Sequence, residues 1–293
     1  MKKQTVIRGS TLTSLLILSI AACSTGHPPT PASPVSAPRS DSVPISGTTG
    51  WAPRLSPGKW HYLIRDSSTI SMTNDTTGHT EPIESTAIYD LSIADSENMF
   101  ILTSRVDSLS VNSHLPTRKA AETSEPLELH GVLSSRGRFT ATGAVASVSC
   151  TGNSVSPSSR LQELLVILPT SVIRVGDKWS DTSSTTICHG KIPLTQTLIR
   201  NYELMKSSTC QPGTVEVQRM VSNTLTSSSA DSNYHLDASG SGTATSVLCL
   251  DTNTGVLLES NGQSHLELTV TTSRGKFPFT QNTTTHIESI NKP

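Results

Sequence analysis

Apolar and polar residues alternate along most of the chain after Trp51. The pattern is plainest in "SHLELTVTT" (264–272), where Leu266, Leu268 and Val270 share one face and Glu267, Thr269 and Thr271 share the other. A period of two marks a half-buried antiparallel strand. The same pattern predicts strands in "KWHYLIRD" (59–66), "ESTAIYDLSI" (84–93), "NMFILTSRVD" (98–107), "TVEVQRMVS" (214–222) and "FPFTQNTTTHIESI" (277–290). One segment breaks it. In "SPSSRLQELLVILPTS" (156–171), Ser156 is a candidate N-cap and Pro157 takes the first helical position. Leu161, Leu164, Leu165 and Leu168 then recur at helical spacing until Pro169. The spacing predicts a helix over 157–168, of about 11 residues, buried along one face.

Two similar stretches flank this helix. "PGKWHYLIRDSSTI" precedes it and "VGDKWSDTSSTTI" follows it, and their tryptophans, Trp60 and Trp179, are 119 residues apart. "HGVLSSRGRFTATG" (130–143) and "TSVLCLDTNTGVLLESNG" (245–262) both read as strand, glycine turn, strand, with Gly137 and Gly255 separated by 118 residues. Similar offsets point to an internal duplication, with the two tryptophans as core anchors of the halves. A half of this size cannot hide both faces of its own sheet. The expected fold is therefore mainly β. Two related antiparallel halves, 55–150 and 172–293, form packed sheets or one continuous curved sheet, like a sandwich or half-barrel. A connecting helix lies within 151–171.

The first residues follow a different logic. Lys2, Lys3 and Arg8 make a positive start, and Leu12 to Ala22 make an apolar run too short to span a bilayer. It ends in Ile20-Ala21-Ala22-Cys23, which resembles the lipobox of bacterial lipoproteins. The resemblance covers about the first 24 residues and implies that 1–22 is a signal peptide. It also implies that Cys23 carries the lipid. Ser24, rather than Asp, follows the cysteine. In a cell with two membranes that favours an outer-membrane address. Pro28, Pro29, Pro31, Pro34, Pro38 and Pro44 then sit among Ser, Thr and Ala. Such a tract cannot bury a core and prefers an extended form, so 23–54 reads as the lipidated cysteine and a tether.

Composition narrows the classes. Formal charge is −1, and loss of Lys2, Lys3 and Arg8 takes it to about −4. With no basic patch, nucleic acid is a poor partner. Aromatic residues make up 4%, which does not favour an aromatic-lined carbohydrate groove. Charged residues make up only 15%, and a polar but weakly charged surface suits strands and exported proteins. Four cysteines remain beyond the anchor: Cys150, Cys188, Cys210 and Cys249. Their even number in an oxidising compartment predicts two disulfides, with three pairings open. A hairpin between Cys188 and Cys210 would favour Cys188–Cys210 with Cys150–Cys249. No CxxC occurs, so the common zinc patterns are excluded.

Catalytic patterns are weak. "ASGSGTA" (238–244) contains GSG without a following helix, so it reads as a close-packed strand and not a nucleophile turn. "TSRGK" (272–276) reads as a hairpin turn. Glu81, Glu84, Asp90, Asp95 and Glu97 cluster in sequence and read as hairpin edges and loops. "CHG" (188–190) suggests a metal or redox site, against which Cys188 as a disulfide partner is preferred. Three histidines stand two residues from a glutamate: Glu128/His130, His265/Glu267 and His286/Glu288. Residues i and i+2 of a strand share a face, so converging pairs would make a metal or acid–base site. Otherwise they are solvated cross-strand pairs. No phosphate-binding glycine loop is present. The expectation is that no residue is catalytic and that no metal or cofactor is needed.

The order GKW, strand meander, glycine hairpin also resembles β-rich bacterial lipoprotein domains of unknown function. A more distant likeness is to the curved-sheet lipoprotein carriers of the LolA/LolB type. Three functions follow as expectations. The first is a non-enzymatic binding or interaction domain in the bacterial envelope, held to the bilayer through Cys23, with an envelope protein as partner. The second is a carrier of a lipid or other hydrophobic ligand. The third is a metal-assisted hydrolase using the His/Glu pairs.

Overall fold

The computed structural model describes residues 50–73, 78–97, 99–113, 127–142, 157–189, 192–206, 209–227, 236–273 and 275–290. Residues 1–49, with the expected signal peptide, Cys23 and most of the tether, lie outside the described residues, as do Cys150 and Ser156. The chain forms β1 (Gly58–Thr73), β2 (Gly78–Ser96), β3 (Met99–Ser113), β4 (Leu127–Leu133) and β5 (Phe139–Ala141). After these come α1 (Pro157–Leu164), β6 (Lys178–His189), β7 (Ile192–Met205) and β8 (Thr214–Ser227), and then β9 (Leu236–Asp251), β10 (Leu257–Thr272) and β11 (Gly275–Ser289). Each segment with period-two alternation became a strand. No described helix is long and apolar enough to cross a membrane.

All eleven strands join one antiparallel sheet in the order β5-β4-β3-β2-β1-β11-β10-β9-β8-β7-β6. Of the two arrangements expected, the structure has the continuous one. The first and last strands meet at the middle, with Tyr62 opposite Ser289 and Ile64 opposite Ile287. The two edges, β5 and β6, are consecutive strands and lie on either side of α1. Trp60 and Trp179 open β1 and β6, and Gly137 and Gly255 stand in the β4–β5 and β9–β10 turns. The landmark pairs thus fall at corresponding places in the order of strands.

The sheet is not closed into a barrel, but a strap joins its edges. Leu168 N–H donates to the Arg136 carbonyl at 2.8 Å. Arg136 Nε donates back to the Leu168 carbonyl at 3.0 Å. From the other edge, Trp179 Nε1 donates to the Ile167 carbonyl at 2.7 Å. Gly137, beside this strap, has φ +85°, and a Cβ there would collide with the Val166 carbonyl.

The helix is shorter than predicted. It ends at Leu164, although Leu165 N–H still bonds the Leu161 carbonyl at 3.0 Å. Leucine spacing predicted helix up to Leu168, and Leu161, Leu164, Leu165 and Leu168 are indeed all buried. The backbone from 165 to 168 belongs to no helix or strand, and the polar groups of Ile167 and Leu168 serve the two sheet edges instead. A residue before proline also avoids helical geometry. Buried side chains from β1 to β5, α1 and β7 to β11 form one large core around the four leucines. Trp51, within the segment read as tether, joins it at 7% exposure, exchanging backbone hydrogen bonds with Ile173. A smaller cluster of Leu194, Leu225, Ala238, Leu266 and Leu268 fills the other end of the sheet.

Candidate functional site

Between the two apolar clusters the inward-facing positions change character. On β1 they run Tyr62, Ile64, Asp66, Ser68, Ile70, and Asp66 and Ser68 are each 7% exposed. On β8 the same phase gives Val217, Arg219, Val221, Asn223, Leu225. Neighbouring positions on β9 and β10 are small: Ala244, Ser246, Gly262 and Ser264. Small side chains in successive rows leave volume unfilled. The result is a cavity of about 90 Å³ between the sheet and α1. Ser246, Gly262, Ser264, Gln281 and Thr283 line the sheet side, and Gln162 and Glu163 line the helix side.

Its walls carry charge. Asp181 is held by two arginines, Arg200 at 2.8 Å and Arg138 from the β4–β5 turn. The Arg138 contact spans the gap between the sheet edges. Arg200 also donates to Gln162 Oε1 at 2.6 Å, tying β7 to α1. Arg219 donates to Ser246 Oγ at 3.0 Å and to the Glu163 carbonyl at 3.3 Å. Burial lowers the Arg219 pKa below the ordinary arginine value, and the Tyr202 and Glu163 charges offset part of that cost. Opposite, Asp66 accepts from Ser85 Oγ at 3.0 Å and Thr285 Oγ1 at 2.7 Å. Gln281 donates to Thr283 Oγ1 at 3.1 Å, while its Oε1 is buried without a hydrogen-bond partner. Buried Gln196 and Asn223, in the neighbouring rows, have both amide atoms without partners. Buried polar groups are normally satisfied, so their concentration here points to hydration or a ligand.

None of these residues was singled out from the sequence. A signal existed: Arg200 interrupts the face Leu198, Tyr202, Leu204, and Arg219 interrupts Val215, Val217, Val221. A charge in phase with an apolar strand face is a buried charge.

The sequence candidates lie elsewhere. Glu128/His130, His265/Glu267 and His286/Glu288 approach to 3.5, 3.4 and 3.7 Å and sit on the exposed face. They do not converge. β4 is separated from β10 and β11 by three or more strands, and His265 and His286 face Asn282 and Asn261. No group of three or more His, Cys, Asp or Glu able to hold a metal occurs among the described residues. Glu81, Glu84 and Asp90 lie within β2 and not in loops; Glu81 is buried and Asp90 pairs with His61. Gly240 and Gly242 lie in β9, packed against the β10 backbone, as read from "ASGSGTA". Trp60 is buried, and Trp179 packs on the core and stacks on Tyr202 with ring centroids 5.2 Å apart.

The disulfide expectation needs correction. Cys210 bonds Cys249, so neither preferred pairing forms. No hairpin joins Cys188 and Cys210: the whole of β7 runs between them. Cys188 is opposite Pro193 at one end of that strand, and Cys210 follows the other end. Fourteen residues of strand hold them far beyond disulfide reach.

No protein-family model matches the chain, and no curated protein matches it. Among solved structures, it is similar to Pseudomonas aeruginosa OccK2 (OpdF) at 7% identity and TM-score 0.28, over 79% of this chain and 98% of that one. It is also similar to DynF from the dynemicin biosynthesis pathway of Micromonospora chersina at 8% identity and TM-score 0.25, over 89% and 94%. Superpositions this weak carry no weight for function. What stands is the chemistry of the chain: one antiparallel sheet with a small, part-open hollow of mixed polar and apolar lining.

Proposed function

We propose that this chain is a lipid-anchored protein of the bacterial envelope whose curved sheet is a non-catalytic binding domain. The observation that carries the binding role is the chamber. It is a part-open hollow in which polar Asp66, Arg219 and Gln281 stand beside apolar Ile83, Leu198 and Val221, and Gln281 Oε1 in its lining is buried without a hydrogen-bond partner. Folding tolerates such groups poorly, and a ligand with complementary groups would satisfy them. The lipobox at Cys23 supports the envelope address, and the proline-rich stretch after it supports a tether. The hydrophobic carrier is the weaker reading. An acyl chain needs a continuous apolar hollow, but the apolar parts of this interior are filled by side chains such as Tyr62, Leu102, Leu161 and Leu248.

Two measurements test the proposal. Cys23→Ser should release the chain from membranes while leaving its circular dichroism unchanged. A variant that still sediments with membranes overturns the anchor. Native mass spectrometry of the full chain, released from detergent, should show an adduct of small polar mass. A mass of lipid size, beyond the anchor itself, would replace the proposal with the carrier.

A further inference from the structure

The two ends of the sheet differ. One end carries the β2–β3, β4–β5 and β9–β10 turns, the β7–β8 connection and the starts of β1 and β6. The described chain enters at this end. Trp51 pairs with Ile173, and a Cβ on Gly50 would collide with Val172 Cγ1 and touch Arg174 Cγ. From there β1 runs 16 residues, about 50 Å, toward the other end.

Exposed apolar side chains gather at the entry end. Val172 and Val175 are 60% and 63% exposed, while Ile173 between them fills the inward position. Met99 and Ile101, also exposed, open β3 at the same end. Ile199 and Met220 lie midway along β7 and β8, so among the described residues no large exposed apolar side chain lies at the far end.

Cations border the valines. Arg174 stands between them, and Gly176 N–H donates to the Leu204 carbonyl at 2.7 Å, which runs the end of β7 and Lys206 beside the loop. Arg54, Arg174 and Lys206 are exposed and make no ion pair among the described residues. The acids of the same segments are engaged: Asp177 accepts the Arg174 N–H at 2.7 Å, and Glu203 pairs with Lys178 at 3.0 Å. Apolar side chains rimmed by Arg and Lys suit a headgroup layer, where the apolar part sinks and the cations meet phosphate oxygens. Position selects the bilayer over other partners. In a chain anchored at Cys23, residues 24–49 lead from the membrane to Gly50, so the tether delivers this loop to the phospholipid. Tethering also raises the effective concentration of the bilayer, so a contact too weak to hold a free chain forms in an anchored one.

We infer that loop 172–175 is a bilayer-contact surface, its two valines among phospholipid headgroups and Arg174 and Lys206 on the phosphates. This rests on the lipid anchor at Cys23, and it stands the sheet on the membrane with its far end pointing away.

The test is lysine acetylation, read by peptide mass spectrometry, on the full lipidated chain inserted from detergent into vesicles of phosphatidylethanolamine and phosphatidylglycerol. The Cys23→Ser chain with the same vesicles is the reference, and Lys276, which follows Gly275 at the far end, is the internal control. A contact made about four-fifths of the time slows acetylation of Lys178 and Lys206 about fivefold and leaves Lys276 unchanged. Val172→Glu with Val175→Glu should restore labelling while the chain stays on the vesicles and keeps its circular dichroism. Free labelling of Lys178 and Lys206 in a chain that floats with vesicles and carries acyl mass on Cys23 overturns the loop assignment and leaves the anchor standing. Equal protection of Lys276, or protection that survives the double substitution, overturns it too. Protection found in native membranes but not in protein-free vesicles assigns the loop to a protein partner instead. A chain without acyl mass on Cys23 removes the anchor and this inference together.

Discussion

At the scale of single residues, two groups on the outer face of the sheet titrate away from their ordinary values. His265 bonds Asn282 Oδ1 at 2.8 Å and Glu267 Oε1 at 3.4 Å, and these contacts raise its pKa. Because the folded value lies above the unfolded one, the small stabilisation is full below about pH 6.5 and is lost as pH rises through the folded value. An NMR titration should place His265 above the ordinary histidine range, and Asn282→Ala should bring it back. A midpoint at or below about 6.5 in the parent protein contradicts this. Asp90 works in the other direction. Burial raises it, but the His61 hydrogen bond and the Asp107 and Arg105 contacts outweigh burial and hold it below the usual carboxylate range. Its stabilisation is present above about pH 3.9 and is lost as pH falls through the folded value. Melting temperatures of parent and Asp90→Asn should differ at neutral pH and converge in acid. Neither contact was legible in the sequence. His61 and Asp90 are 29 residues apart and meet only through the β1–β2 register.

At the scale of elements, the strands were legible and their ends and partners were not. Alternation in a segment such as 264–272 depends only on nearest neighbours, so it survives into β10 intact. The end of α1 depends on distant groups, Arg136 and Trp179, that recruit the backbone beyond Leu164. Leu168, at 1% exposure, belongs to that strap. Leu168→Ala should cost about 2–5 kcal/mol in urea unfolding. A loss below about 1 kcal/mol would show that the strap is not packed as described. The Cys210–Cys249 bridge closes a separation of 39 residues and ties the β7–β8 connection to β9. Reduction, or serine at both positions, should cost about 2–4 kcal/mol. A reductant-insensitive unfolding midpoint would count against the bridge. Its pairing was hidden because it follows from which turns share an end of the sheet, a property of strand order.

At the scale of the whole molecule, the charge cluster at Asp181 holds the curl of the sheet. It joins the β4–β5 turn, β6, β7 and, through Arg200, α1. Asp181→Asn leaves Arg200 buried without its counter-charge and should cost about 3 kcal/mol or more. Faster amide exchange should appear first at β5, β6 and the strap. If exchange there is unchanged, the edges are held by packing alone. The mainly β class and an interior facing one helix could be read from period and leucine spacing. The chamber could not, because its polar residues match the solvent face of any strand until the neighbouring apolar positions in phase are compared. Strand order carries one more consequence, for how the chain is made. β1 is synthesised early, yet its partner on one side is β11, the last strand to emerge. Until then a 16-residue strand edge in the future centre of the sheet has nothing to pair with. Closing a contact between residues as distant as Tyr62 and Ser289 is slow. A chain stopped after Thr272 leaves that edge bare and should therefore aggregate where the full one stays in solution.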